Sequence, residues 1–124
     1  MIKQDFINIL KKKGYSHYFE DDNIIINNNG CILLNLLTTL PEGVRFNNKG
    51  NIYLVSLTIL PKNVQFNNSG SVLLDSLTKF PENVQFNNSG NIYLVSLTTL
   101  PEGIQFNNGG SVFLESLHLN QVMK

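Results

Sequence analysis

A motif of 20 residues repeats without a gap along most of this chain, and that periodicity limits the possible folds more than any other feature. The string Leu37-Thr38-Thr39-Leu40-Pro41-Glu42-Gly43-Val44-Arg45-Phe46-Asn47-Asn48 recurs from positions 57, 77 and 97 with few changes. Gly stands at 30, 50, 70, 90 and 110, with Asn-Asn pairs before each at 27–28, 47–48, 67–68, 87–88 and 107–108. All four prolines share one place in the repeat, at 41, 61, 81 and 101. A unit this short cannot enclose a core alone. It has to bury its apolar face against copies of itself, which is how a solenoid is built.

A longer period lies over the first. Residues 51–58 are identical to 91–98, while 71–78 and 111–117 resemble each other more closely. The pattern indicates a duplicated two-coil unit. Within a coil, residue polarity alternates in the strand period. Val44 and Phe46 are expected to point inward and Arg45 outward. Ile52 and Leu54 point inward in the next arm, leaving Asn51, Tyr53 and Val55 outside. Asn47-Asn48-Lys49-Gly50 is a turn signal between the arms. Leu57 and Leu60 close the coil, and Pro61 sets the next corner. Stacking then forms columns such as Ile26, Phe46, Phe66, Phe86, Phe106 and Leu34, Leu54, Leu74, Leu94, Leu114. The expected fold is mainly β: a β-solenoid of about five 20-residue coils with an N-terminal α-helical cap.

The ends depart from the period. Ile2, Phe6, Ile9 and Leu10 recur at helical spacing and Gly14 suits a helix C-terminus, so a helix is expected from about 2 to 13. Its apolar face would cover the first coil, with Tyr15, Tyr18 and Phe19 continuing the cover. A membrane-surface role for this helix is the alternative, given Lys11, Lys12 and Lys13. Residues 1–22 thus form a helical cap, 23–120 the repeat solenoid and 121–124 a tail, all within one structural domain. At position 121 the register calls for proline but the chain has Gln121.

Among the 124 residues, nine Lys and Arg balance nine Asp and Glu. A neutral chain lacks the basic face that nucleic-acid binding requires, so no direct nucleic-acid contact is expected. No apolar run approaches the roughly 18 residues of a membrane span. No continuous apolar stretch marks a signal peptide, and the single Cys31 has no internal disulfide partner. These features fit a cytoplasmic setting.

No catalytic constellation is legible, and no enzyme activity, metal or cofactor is expected. His17 and His118 stand at opposite ends of the chain. One Cys and two distant His give no metal-ligand spacing. Gly109-Gly110 lacks the Lys-Ser/Thr of a phosphate loop. The Asn-Asn-x-Gly turns lack the carboxylates that calcium-binding repeats use, so they read as a hydrogen-bonded Asn ladder. Glu20, Asp21 and Asp22 read as a solvated turn. The stacked Thr38, Thr58, Thr78 and Thr98 adjoin the irregular column Thr39, Ile59, Lys79, Thr99, which breaks the flat array that ice binding needs.

What remains lies on the outer columns. Leu33, Tyr53, Leu73, Tyr93 and Phe113 form a stripe beside Asn35, Val55, Asp75, Val95 and Glu115. Tyr53, Val55, Leu73, Tyr93, Val95 and Phe113 are candidate partner-binding residues. Ordinary cross-strand pairing that stabilises the sheet explains the same residues. Arg45, Gln65, Gln85 and Gln105 make a solvated polar column. At the C-terminal end, residues 117–124 are expected to be too few to form a second full cap. Val112, Phe113, Leu114, Leu119 and Val122 are therefore candidate residues of an edge that pairs two copies into a homodimer. In the alternative, Leu119, Val122 and Met123 fold back as a plug and leave a monomer.

The Leu-x-x-Leu-Pro string and the Leu-Thr-x-Leu-Pro-Glu-Gly-Val-x-Phe-Asn-Asn repeat resemble leucine-rich-repeat-like short-repeat solenoid proteins of bacteria and their phages. The resemblance covers nearly the whole chain. It implies a binding function: a non-enzymatic protein–protein interaction module. In its sharper form this is a phage-encoded inhibitor of a bacterial defence nuclease of the CRISPR type, acting in the host cytoplasm. A structural or oligomerisation scaffold is one alternative, and an enzyme with an unrecognised site is the other.

Overall fold

The structure is a computed structural model, and it describes residues 1–81, 83–101 and 104–115. The chain begins with helix α1, Lys3–Lys13. Phe6, Ile7 and Leu10 are buried on one side of it, at the spacing that lines a single helical face. Lys11, Lys12 and Lys13 complement the negative C-terminal end of its dipole. Gly14 then adopts the left-handed conformation, with φ 72°, and its N–H donates to Leu10 O and Lys11 O. A side chain is strained in that conformation, which explains glycine at this stop.

The segment after the helix, expected only as further cover, is a strand. β1 (His17–Glu20) pairs antiparallel with β2 (Asn23–Ile26), turning at Asp21 with φ 56°. From there every neighbouring pair of strands is parallel. β2 is followed in its sheet by β4 (Arg45–Phe46), β6 (Gln65–Phe66) and β8 (Gln85–Phe86), giving the order β1-β2-β4-β6-β8. The second sheet alternates with the first along the chain. It orders β3 (Ile32–Leu33), β5 (Ile52–Tyr53), β7 (Val72–Leu73), β9 (Ile92–Tyr93) and β10 (Val112–Phe113). The register is one repeat throughout: Phe46 pairs with Phe66, Phe66 with Phe86, and Ile52 with Val72. The expected β-solenoid with a helical cap is the fold.

The core is the space between the two sheets, filled by the predicted columns. Phe46, Phe66 and Phe86 are fully buried, as are Leu54, Leu74 and Leu94 and the closing column Leu57, Leu77 and Leu97. The Phe rings stack nearly parallel, with centroids 5.2 and 5.1 Å apart. α1 seals the first coil, since Phe6, Ile7 and Leu10 belong to the same apolar cluster as Ile24, Ile26 and Ile32.

The corner between the sheets is polar and tightly packed. Asn48 and Asn68 are buried and donate from Nδ2 to the glycine carbonyl of the preceding coil, Gly30 O at 3.1 Å and Gly50 O at 3.0 Å. Asn88 and Asn108 make the same bond to Gly70 O and Gly90 O. The glycine beside them is required by close approach: a Cβ on Gly70 would lie 2.7 Å from the Gly50 carbonyl carbon. A second Asn ladder runs outside, from Asn87 to Asn67 to Asn47, each bond 3.2 Å.

The stack loosens toward its C-terminal end. β10 pairs fully with β9, but among the described residues the fifth coil joins the first sheet through an isolated bridge, Phe86 to Phe106. Position 80 differs from its column mates Leu40, Leu60 and Leu100, because it is Phe80. Its larger ring leans against both Phe86 and Phe106 at 54° and 55°. Val84, one turn on, is only partly buried, whereas Val44 and Val64 are fully buried.

Candidate protein-binding surfaces

Two surfaces carry the residues singled out from the sequence. The first is the outer face of the second sheet, where Leu33, Tyr53, Leu73, Tyr93 and Phe113 form one cross-strand column. Leu33 and Phe113, at its two ends, are exposed at 46% and 39%. Tyr53, Leu73 and Tyr93 between them are half-buried by their neighbours, as are Val55 and Val95. The Tyr93 and Phe113 rings stack at 4.8 Å.

The tyrosines are tied into the sheet. Asn51 Nδ2 donates to Tyr53 Oη at 3.2 Å, and Asn91 Nδ2 donates to Tyr93 Oη at 3.3 Å. The same asparagines bind the next coil through Oδ1, which accepts the Ser71 N–H at 2.8 Å and the Ser111 N–H at 2.9 Å. In the coil between them, Ser71 Oγ accepts the Asn91 N–H at 3.0 Å. Asn thus accompanies Tyr, while Ser accompanies Leu73 or Phe113. This coupling is a physical reason for the two-coil period. Its signal stood in the sequence, since residues two apart on a strand share a face.

The second surface is the end of the rod, and the two ends differ. In the second sheet each coil donates two amides to the coil that follows. Ile32 and Leu34 donate to Asn51 O and Tyr53 O, and the pattern continues to Ile92 and Leu94, which donate to Ser111 O and Phe113 O. Val112 and Leu114 are the equivalent donors of the fifth coil, and among the described residues their amides have no acceptor. The predicted edge residues Leu119 and Val122 lie outside the described residues, as does His118.

The N-terminal end is closed by side chains as well as by α1. Tyr15 Oη accepts the outward-facing Leu33 N–H at 2.9 Å. Asn28 Oδ1 accepts the Ser16 N–H at 3.3 Å, and Asn27 donates its N–H to Ser16 O. Lys3 Nζ donates to Asp22 O, holding the helix against the β1–β2 turn. Glu20 and Arg45 approach to 4.0 Å at the surface, too exposed to add more than about 1 kcal/mol. His17 Nδ1 lies 2.8 Å from Tyr15 O, and its ring is edge-on to Phe19, with no carboxylate partner among the described residues.

A cleft of about 580 Å³ opens beside Phe80, between the fourth and fifth coils. Val84, Ile104 and Pro101 line it together with the amide side chains of Gln85, Gln105 and Asn87. Among the described residues no three His, Cys, Asp or Glu side chains gather where they could hold a metal, and no helix is long and apolar enough to cross a membrane. Compared with protein-family models, curated proteins and solved structures, the chain matches none.

Proposed function

We propose that this chain is a non-catalytic protein-binding solenoid that joins a second copy of itself through its fifth coil. One observation carries the reading: among the described residues the rod is sealed at its first coil, while the outward amides of Val112 and Leu114 at its last have no acceptor. An edge with no further strand among the described residues, carrying half-buried Val112 and exposed Phe113, is a template for another strand. Two-fold pairing of β10 with its copy satisfies both edges at once and closes the assembly, so no fibre grows. The joined rod then displays two outer stripes containing Tyr53, Leu73 and Tyr93, and a protein partner binds there with twofold avidity. Acting in a bacterial host's cytoplasm on a defence nuclease is the sharper form of this proposal, and it rests on the family resemblance.

Light scattering over a range of protein concentrations tests self-association. A dimer mass supports the reading, and a monomer mass at high concentration rejects it. A pull-down from bacterial lysate tests the stripe. A stoichiometric partner lost on combining Tyr53→Ala with Tyr93→Ala supports the binding site, provided that the doubly substituted protein stays folded. Capture of a nuclease whose cleavage the protein blocks supports the sharper form. Substrate turnover by the purified chain would overturn the non-catalytic assignment.

A further inference from the structure

The chain contains two Asn-Gly pairs, Asn29-Gly30 and Asn108-Gly109. The solenoid holds them in opposite states. Asn29 is exposed, and neither its side chain nor the Gly30 N–H has a hydrogen-bond partner among the described residues. Asn108 is held through its leaving amide nitrogen and through the backbone amide that follows it. Its Nδ2 donates to Gly90 O at 3.1 Å, Gly110 O at 3.0 Å and Ser111 O at 3.3 Å. The following amide, Gly109 N–H, donates to Asn88 O at 3.0 Å.

The difference comes from place in the repeat as well as in the stack: Asn108 stands in the corner column of the buried Asn48, Asn68 and Asn88, whereas Asn29 stands in the next column, that of Lys49, Ser69 and Ser89. Corner amides donate backward to the preceding coil: Lys49 to Asn28 O, Ser69 to Asn48 O, Ser89 to Asn68 O, and Gly90 and Gly110 to Gly70 O and Gly90 O. Gly30 belongs to the first coil and has no coil behind it. Its nitrogen is free to act as a nucleophile, and as glycine it carries no Cβ to hinder its approach to the neighbouring side chain.

We infer that Asn29 is a site of spontaneous backbone-assisted deamidation, and that the stacked ladder protects Asn108 from the same reaction. The Gly30 backbone nitrogen gives up its proton and attacks Asn29 Cγ. A new N–C bond closes a succinimide ring, the Cγ–Nδ2 bond breaks, and the nitrogen leaves as ammonia. Water then opens the ring at one of its two carbonyls, giving an aspartyl or an isoaspartyl residue. The net change is gain of water and loss of ammonia, with no oxidant or reductant.

The product alters this end of the rod. Position 29 gains a carboxylate in the outer column that holds Lys49 in the next coil, one sheet spacing of about 4.8 Å away. The isoaspartyl form also lengthens the backbone just before Gly30, whose carbonyl accepts Asn48 Nδ2. That rung between the first and second coils shifts, while the later rungs are untouched.

Incubation of the whole protein at mildly alkaline pH, followed by peptide mass mapping, tests the inference. Conversion at Asn29 should exceed that at Asn108 by about tenfold or more in the folded protein, and the two should converge in urea. Gly30→Ala is the control, because an added Cβ there meets only Asn28 Nδ2, at 3.8 Å. It should fold normally and slow conversion at position 29 by about tenfold. Equal rates at Asn29 and Asn108 in the folded state would overturn the inference, and so would a Gly30→Ala protein that converts as fast as the parent.

Discussion

Phe66 stacks on Phe46 with ring centroids 5.2 Å apart and planes within 6° of parallel, and Phe86 repeats the contact on its other side. A ring sandwiched in this way loses two faces of contact when truncated. Phe66→Ala should cost about 3–5 kcal/mol of unfolding free energy. Phe106 is only partly buried and its ring is tilted 36° from Phe86, so Phe106→Ala should cost clearly less. Urea denaturation of both variants checks the order. Equal losses would mean that the column does not carry the core as described.

Asn68 is fully enclosed and donates from Nδ2 to Gly50 O and Ser71 O, at 3.0 and 3.2 Å. Its Oδ1 is buried without a donor, so a carboxylate there would meet only acceptors. Asn68→Ala should cost about 1–3 kcal/mol, and Asn68→Asp should cost more at neutral pH. The introduced acid would be neutral when protonated and able to donate, so folding raises its pKa above the unfolded value. A raised pKa means that the folded state binds more protons, so stability falls as pH rises from the unfolded pKa through the folded one. The Asn68→Asp variant should therefore regain stability relative to wild type on acidification below neutrality. Denaturation curves at several pH values read this directly, and a gap from wild type that stays constant with pH would refute it.

The columns were legible because a fixed period places the same residue type in the same layer, whatever the cross-section of the coil. Phe46, Leu54, Leu57 and Asn48 needed no further information. β1 was not legible, because His17-Tyr18-Phe19-Glu20 has no copy elsewhere in the chain and its pairing with β2 depends on the turn at Asp21. The half-burial of Tyr53 and Tyr93 was also hidden. Alternation tells which face a side chain takes, but not how much its cross-strand neighbours cover it. Phe80 was visible as a departure from leucine, yet its consequence appears only when a larger ring is placed in a stack built for leucine.

That consequence makes a prediction of its own. Leu40 and Leu60 are buried at the position that Phe80 occupies. Overpacking a fitted site costs about 1–3 kcal/mol, so Phe80→Leu should leave the protein as stable or up to about 1 kcal/mol more stable. It should also slow amide exchange at Gln105 as the fifth coil closes on the fourth. A loss of several kcal/mol with unchanged exchange would show that the ring fills its site and does not open the cleft.

The last prediction separates the two surfaces proposed for binding. If copies pair through β10, a charge on that strand should abolish pairing without unfolding the rod, because Phe113 is exposed and Val112 only half-buried. Lysine on an edge strand opposes further pairing through repulsion and desolvation. Val112→Lys combined with Phe113→Lys should give a monomer by light scattering while far-ultraviolet dichroism stays unchanged. Leu33→Lys is the matched control, since Leu33 is exposed at the sealed end, where Tyr15 already occupies its amide. That variant should remain dimeric. A dimer that survives the C-terminal substitutions but is lost on Tyr53→Lys would move the self-association site to the middle of the outer stripe, and the open edge would then have no part in it.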